Sequence, residues 1–198
     1  MKKQAGFSLV ELVIVIIVVG LLAVAALPRF LNVTDEAKKA SIEGVAGGFA
    51  TAVLSARAQW EANGRPTALI NNKNVNSVDY DGSTFMLTAE QDDVRVGYPI
   101  HYGKDNNASI GGLNNSECKV LFEQLMQNPP QVAVIDDRNI LNGKFKYAAR
   151  KDSSGNNATC TYFQLASAPT NSNGVEQITS AHSFTYTPKS GSVVVNIQ

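Results

Sequence analysis

The stretch KKQAGFSLVELVIVIIVVGLLAVAALPRF, residues 2–30, indicates what kind of protein this is. Between residues 7 and 27 it is apolar except at three positions: Ser8, Glu11 and Gly20. A helix over those residues would be about 30 Å long, the thickness of a bilayer's hydrocarbon core. Lys2 and Lys3 precede it, and positive charge favours keeping that end in the cytoplasm. The stretch therefore predicts a helix that spans a membrane.

Two ordinary interpretations of this segment compete with a more specific one. A cleaved secretory signal fits the apolar core at 12–22 and the A-x-A sequence at 23–25. A plain signal-anchor with a snorkelling carboxylate also fits. Against the cleaved signal stands Glu11, because a carboxylate at full membrane depth costs about 2.5 kcal/mol or more. A disposable signal has no use for such a residue.

The helical pattern continues beyond the apolar run. Six apolar residues follow at spacings of three and four: Ile42, Val45, Phe49, Val53, Ala56 and Trp60. Such spacing is typical of an amphipathic helix. Asn63-Gly64 and then Pro66 form a helix stop. We therefore predict one helix from about Phe7 to about Ala62, kinked at Pro28.

The amino-acid composition indicates which class of protein the whole chain belongs to. The 198 residues are 44% hydrophobic and 17% charged, which is ordinary for one domain with a core. The 17 basic and 17 acidic residues give a formal charge of zero, so we expect no binding to nucleic acid.

From Gly64 onward, short β-type runs alternate with turn residues. The predicted strands are 93–102, 132–135, 144–150, 158–165, 183–187 and 192–197, the last two forming a hairpin around 188–191. Residues 116–127 predict a helix with Ser116 as its cap, ended by Pro129-Pro130. We expect an α+β fold, with an antiparallel sheet packed on the apolar stripe of the long helix.

Few residues of this head are candidates for catalysis or for ligand binding. His101 and His182 have no ligand spacing to each other or to the cysteines, and we interpret both as strand or turn residues. Residues 79–82 (DYDG) contain a fragment of a calcium loop without its distal Glu, so a turn is favoured. The pairs at 92–93 and 136–137 are interpreted as solvated loop aspartates. Three tyrosines are candidates for sugar binding, although packing is the default: Tyr98, Tyr102 and Tyr162.

The N-terminal residues carry a specific resemblance. The sequence GFSLVE at 6–11, after a short basic leader and before a long apolar run, looks like the type IV prepilin motif. The sequence PRFLN at 28–32, with the Ala-rich helix ending at Trp60, is similar to mannose-sensitive haemagglutinin (MSHA) pilins, to the minor more than to the major subunit. The resemblance covers about 25 residues directly and the long helix in outline.

This resemblance implies that a prepilin peptidase cuts between Gly6 and Phe7 and N-methylates Phe7. The new α-amine would lie one helical turn from Glu11, in the same chain or in a neighbouring subunit, and would supply its cation. In the family, pairing with a neighbour sets the register of assembly. Gly20 and Pro28 fall at the family's helix-breaking positions, where Gly weakens a helix and Pro removes a donor.

The implied organisation is a leader at 1–6, a membrane and filament-core segment at 7–28, an amphipathic half-helix at 29–62 and a β-rich head at 63–198. The expected protein is a filament subunit for surface attachment, with no enzymatic activity, cofactor or metal. It would sit in the inner membrane with its head in the periplasm, and then in an extracellular pilus. Its partners would be other pilins, the peptidase, the membrane and the assembly machinery. A type II secretion pseudopilin and a membrane-anchored periplasmic ligand-binding protein are the alternatives.

The two cysteines, Cys118 and Cys160, would be free thiols in a cytosolic chain and one disulfide in an exported chain. In type IV pilins, which this sequence resembles, a disulfide bounds the variable D-region, and the resemblance implies the same role for this pair. Here the 38 residues 161–198 follow the second cysteine, so the terminal hairpin would lie outside that loop.

Overall fold

The computed structural model describes residues 7–70, 72–90, 93–104 and 108–198. The chain forms two compact units, Met1–Lys38 and Lys39–Gln198. One helix, α1, runs Leu9–Ala62 with Pro28 inside it, so the predicted long helix is confirmed. It ends where the sequence indicates, because Gly64 has a φ of +78° and the Arg65 amide donates back to the Trp60 carbonyl at 2.9 Å.

The first sheet lies directly after α1. Its four antiparallel strands, in spatial order, are β1 Thr67–Ile70, β2 Lys73–Tyr80, β3 Ser83–Leu87 and β4 Pro99–Tyr102. The first three were absent from the sequence prediction. The strand predicted at 93–102 was wrong in its first half, because only Pro99–Tyr102 pairs as a strand. Gly97 has a φ of +90°, and a Cβ there would lie 2.7 Å from the Trp60 ring, so the chain passes the end of α1 as a loop.

A second helix, α2, spans Asn115–Leu125. Its cap is Asn114, whose side-chain oxygen accepts a hydrogen bond from the Glu117 amide at 2.9 Å. The prediction of Ser116 as the cap was therefore wrong, since Asn114 has the extended backbone that a cap requires. The helix buries one face, made of Cys118, Leu121, Phe122 and Leu125.

The second sheet has five strands in chain order: β5 Val132–Val134, β6 Tyr147–Asp152, β7 Thr159–Gln164, β8 Ser183–Thr187 and β9 Ser192–Asn196. The pair β5–β6 is parallel and the other pairs are antiparallel. The hairpin predicted around residues 188–191 is confirmed by the pairing of Thr187 with Ser192. The strand predicted at 144–150 lies instead at Tyr147–Asp152, because the Lys146 amide bonds to the Gln131 carbonyl before the ladder begins.

The apolar stripe of α1 forms the centre of the head's core. Ile42, Phe49 and Val53 are fully buried, and Val45 is the one predicted stripe residue that stays partly exposed. The Phe49 ring lies 5.4–6.1 Å, centroid to centroid, from four other rings: Phe122, Tyr162, Phe184 and Tyr186. The predicted α+β class, with a long helix packed on antiparallel β-structure, is confirmed. The described strands form two sheets in place of the single sheet expected, and one strand pair, β5–β6, is parallel.

Candidate functional site

The first turn of α1 contains a reciprocal pair of hydrogen bonds. The Ser8 amide donates to Glu11 Oε2 at 2.9 Å, and the Glu11 amide donates to Ser8 Oγ at 3.2 Å. This is a capping box, which satisfies backbone donors that lack partners at a helix start. The sequence analysis missed it, although the Ser-x-x-Glu spacing at residues 8–11 is its signal. Glu11 therefore has a partner in its own chain.

The residues after this turn present apolar side chains on every side of α1. This is the one helix in the described part of the chain that is long and apolar enough to cross a membrane, and its most apolar stretch has no buried residue. Large exposed side chains recur along it, including Leu12, Ile16, Leu21, Val24 and Phe30. Water is a poor solvent for such a surface, so it requires lipid or other apolar helices around it.

The other residues predicted for processing and assembly are placed as follows. Phe7 precedes α1 and is 88% exposed, while Gly6 and the rest of the predicted leader 1–6 lie outside the described residues. Gly20 and Pro28 both lie inside α1, and Gly20 has open space where a side chain would stand. The structure therefore leaves the roles of Gly6, Phe7, Gly20 and Pro28 as predictions.

Cys118 of α2 and Cys160 of β7 form a disulfide, with their Cα atoms 5.4 Å apart. Both are fully buried, and the Tyr162 hydroxyl donates to the Cys118 carbonyl at 2.8 Å. The bridge spans 42 positions, for which the loop-entropy estimate is about 4 kcal/mol of stabilisation. It ties the second helix to the middle strand of the second sheet.

Both histidines contact other residues of the fold. His101 of β4 contacts Glu117 of α2, with Nδ1 and Oε2 2.6 Å apart, beside a polar cleft of about 460 Å³. His182 is buried before β8, and its Nδ1 accepts from the Gln198 amide at 3.1 Å. Within residues 7–70, 72–90, 93–104 and 108–198, no group of three or more His, Cys, Asp or Glu side chains is placed to hold a metal ion.

Asp93, Asp136 and Asp137 lie outside the strands, as the interpretation of loop aspartates expected. Asp81 and Gly82 form the β2–β3 turn, both with positive φ, as the turn interpretation of DYDG expected. Asp136 accepts from the Asn115 side chain at 2.6 Å. Asp93 pairs with Lys189 at 2.7 Å, and the hydrogen bond and charge of that lysine lower the pKa of its carboxyl. Asp92 lies outside the described residues.

The tyrosines divide by burial. Tyr98 and Tyr162 are buried at 4% and 0% exposure, so they serve the core, and Tyr102 alone of the three predicted candidates is exposed, at 38%. Burial raises the pKa of the Tyr162 and Tyr186 hydroxyls well above the usual range, because a phenolate would lose its hydration there. Each donates to a backbone carbonyl, Tyr186 to Pro99 at 2.8 Å.

Comparison with known families finds a match at the N-terminus. Residues 1–27 match the prokaryotic N-terminal methylation motif. A similar protein is the Type IV narrow pilus major component PilA5 of Thermus thermophilus, 40% identical over 65 residues, which are 33% of this chain and 54% of the relative. The motif and this relative support a relationship of the chain to the type IV pilin family.

A second relative is the fimbrial protein EcpC of Eikenella corrodens, 37% identical over 83 residues, which are 39% of this chain and 54% of the relative. The chain thus spans about half the length of the curated relatives it matches. No solved structure matches. The long helix packed with antiparallel sheets is consistent with the type IV pilin fold.

Proposed function

We propose that this chain is a structural subunit of a type IV pilus of the MSHA type, resembling its minor pilin MshB, that serves surface attachment. One observation carries the proposal: the first half of α1 exposes apolar side chains on all sides and has Glu11 as its single charge before Arg29. Such a helix suits storage in a bilayer and later bundling with identical helices, where lipid is replaced by apolar neighbours.

In this proposal, proteolytic cleavage of the leader creates the positive charge that the Glu11 carboxylate lacks in the uncut chain. Prepilin peptidase cuts between Gly6 and Phe7 and methylates the new Phe7 amine. Loss of Lys2 and Lys3 takes the formal charge from zero to −2. The amine then lies within one turn of Glu11, whose carboxylate is held by the Ser8 amide in the uncut chain. A charged donor makes a stronger hydrogen bond than a neutral amide, so the amine displaces the capping contact.

The organisation follows from these steps. The subunit sits in the inner membrane through residues 7–28, continues as the amphipathic half-helix 29–62 and carries the head 63–198 in the periplasm. The assembly machinery moves it into an extracellular fibre with other pilin subunits. Gly20 and Pro28 let the helix loosen there, because each weakens helical hydrogen bonding. The Cys118–Cys160 bridge bounds a D-region from which the last hairpin is excluded.

Mass spectrometry of the mature N-terminus tests the proposal. We expect the chain to begin at a methylated Phe7. A start at Ala26 would indicate a secretory signal, and an intact Met1 would indicate a plain anchor; either result overturns the pilin proposal. Loss of pili on deletion of this chain, with type II secretion intact, is then the result expected for a pilin. The opposite pattern would identify a pseudopilin.

The role of Glu11 has a separate test. We expect Glu11→Ala to insert in the membrane and to be cleaved normally, because its leader and apolar run are unchanged, but to enter filaments poorly. Immunoblots of sheared pili against the membrane pool measure the two fractions. Glu11→Asp is the matched variant, since it keeps the charge on a shorter side chain and should restore part of the incorporation. Normal incorporation of Glu11→Ala would contradict the register role.

A further inference from the structure

We propose that the outer edge of β9 pairs, antiparallel, with β9 of a second copy of this chain. The strand lies last in its sheet, and among the described residues no strand pairs with its outer side. Every second residue of an edge strand directs its N–H and C=O outward, which makes such an edge a template for another strand. The proposal concerns the head and is independent of the pilus function above.

The sequence of this edge lacks the usual protection against pairing. Residues 190–198 (SGSVVVNIQ) contain no charged side chain and no proline. Three consecutive valines give the strand a high β-propensity, and Val194 is 54% exposed. Natural proteins usually place lysine, proline or a bulge on such an edge. An unprotected edge of this composition is therefore expected to be covered by another strand.

The other sheet edges of the same protein are protected. β4 begins with Pro99, and β5 is only three residues long, between Pro130 and Asp136. β1 has four residues and follows Pro66. Short strands and proline both oppose edge pairing. Among these four edge strands of the described residues, β9 is the longest and is the one with neither a proline nor a charged side chain within two residues of its ends.

The strand is also complementary to itself. Antiparallel pairing centred on Val194 overlaps the complete strand Ser192–Asn196 of both copies. It sets Val194 opposite Val194 of the second copy, Val193 opposite Val195, and Ser192 opposite Asn196. Pairs of β-branched residues are favourable across strands, and the polar ends meet each other. A contact in which the same patch faces itself has two-fold symmetry.

A pair of five-residue strands buries less surface than stable dimers do, which is usually above about 1,200 Å². We therefore expect weak pairing that becomes populated when copies are held close together, as in a membrane. Covalent trapping is the suitable assay, because it accumulates a contact that forms only part of the time.

The test uses single cysteines in the full-length chain in detergent under mild oxidation. Val194→Cys is the probe and Val175→Cys the matched control, since both valines are 54% exposed. We expect about tenfold more covalent dimer from the probe, because residues directly opposite in an antiparallel pair have Cα atoms within disulfide range. Equal yields would overturn the proposal. Peptide mapping confirms that the Cys118–Cys160 bond is intact in both variants.

Charge at the same position provides a second test that does not depend on thiols. In mixtures monitored by chemical cross-linking, Val194→Lys should not pair with itself, because two lysines would face each other, whereas Val194→Lys mixed with Val194→Glu should regain the dimer. Val194→Thr keeps a β-branched residue and should behave as the original chain does. Failure of the mixture to recover, or trapping of Val194→Cys with Leu69→Cys on β1 instead, would overturn the symmetric pairing.

Discussion

The two halves of α1 are both rich in apolar residues, yet they meet opposite environments. From Leu9 to Phe30 the large side chains are exposed around the whole circumference. From Ile42 to Trp60 a single stripe is buried, while Leu54 on the other side is 56% exposed. The difference shows that apolar content alone does not indicate burial: the second half carries the polar face that lets it lie on a soluble head.

The largest expected loss of stability comes from a substitution in the buried half of α1. Phe49→Ala should lower the free energy of unfolding by about 3–5 kcal/mol, because it removes a ring packed among four others and leaves a cavity. Urea denaturation of the full-length chain in detergent, followed by Trp60 fluorescence, measures it. Leu54→Ala on the same helix is the control and should change stability by less than about 0.5 kcal/mol. Equal losses would contradict the assignment of the two faces.

A second prediction concerns how the end of the buried half is held. Arg57 of α1 donates to the Tyr98 hydroxyl at 2.6 Å, and its guanidinium lies 4.7 Å from that ring's centroid. The Gly191 backbone lies against the same ring, and a Cβ at this position would overlap it. We expect Gly191→Ala to cost about 2–3 kcal/mol, since the ring must move and the residue has a positive φ.

Gly174→Ala separates the two causes. Gly174 has a similar φ of +75° but open space around it. Its substitution should cost only about 1 kcal/mol, from backbone strain alone. Equal destabilisation of the two variants, measured by thermal unfolding, would show that contact with Tyr98 is unimportant.

Alkaline pH should loosen the start of the buried half. Burial raises the pKa of Tyr147 to about 12, and the Gln164 and Ser41 side chains beside its hydroxyl offset part of that rise. An unfolded chain releases this proton near pH 10, whereas the folded head retains it. The stabilisation is therefore complete below pH 10 and is lost as the pH rises through about 12. Tyr147→Phe should flatten this part of the stability profile; an unchanged profile would contradict the role.

The smallest expected loss of stability comes from a substitution at the start of the exposed half of α1. Ser8→Ala removes the acceptor for the Glu11 amide and should destabilise the first turn of α1 by about 1 kcal/mol. Hydrogen exchange of the amides at residues 9–12 in detergent micelles should become several-fold faster. Ser8→Thr keeps the acceptor and should leave the exchange near its original rate. If both variants exchange alike, the capping box is not what orders this turn.

The contrast between the two sheets explains where sequence analysis succeeded. β7, β8 and β9 have clear β-type composition and were predicted. β2 reads KNVNSVDY, and its polar side chains hide the period-two pattern because much of the strand is only partly buried. Residues 93–96 have the composition of a strand, but there the Arg95 amide bonds to the Lys189 carbonyl in the turn between β8 and β9. A local pattern cannot supply that partner, which lies 94 positions further along the chain.

The sequence by itself determined the long helix, its apolar and amphipathic halves, its end at Ala62 and the unusual position of Glu11. Those features depend on interactions between residues a few positions apart, which periodicity and turn chemistry describe. Only the tertiary structure decided that there are two sheets, that β5 and β6 are parallel, that Ser8 shares hydrogen bonds with Glu11, and that β9 stands unprotected at an edge. Strand order and edges arise from contacts between distant segments, and a sequence pattern specifies which face is apolar but not which strand lies beside it.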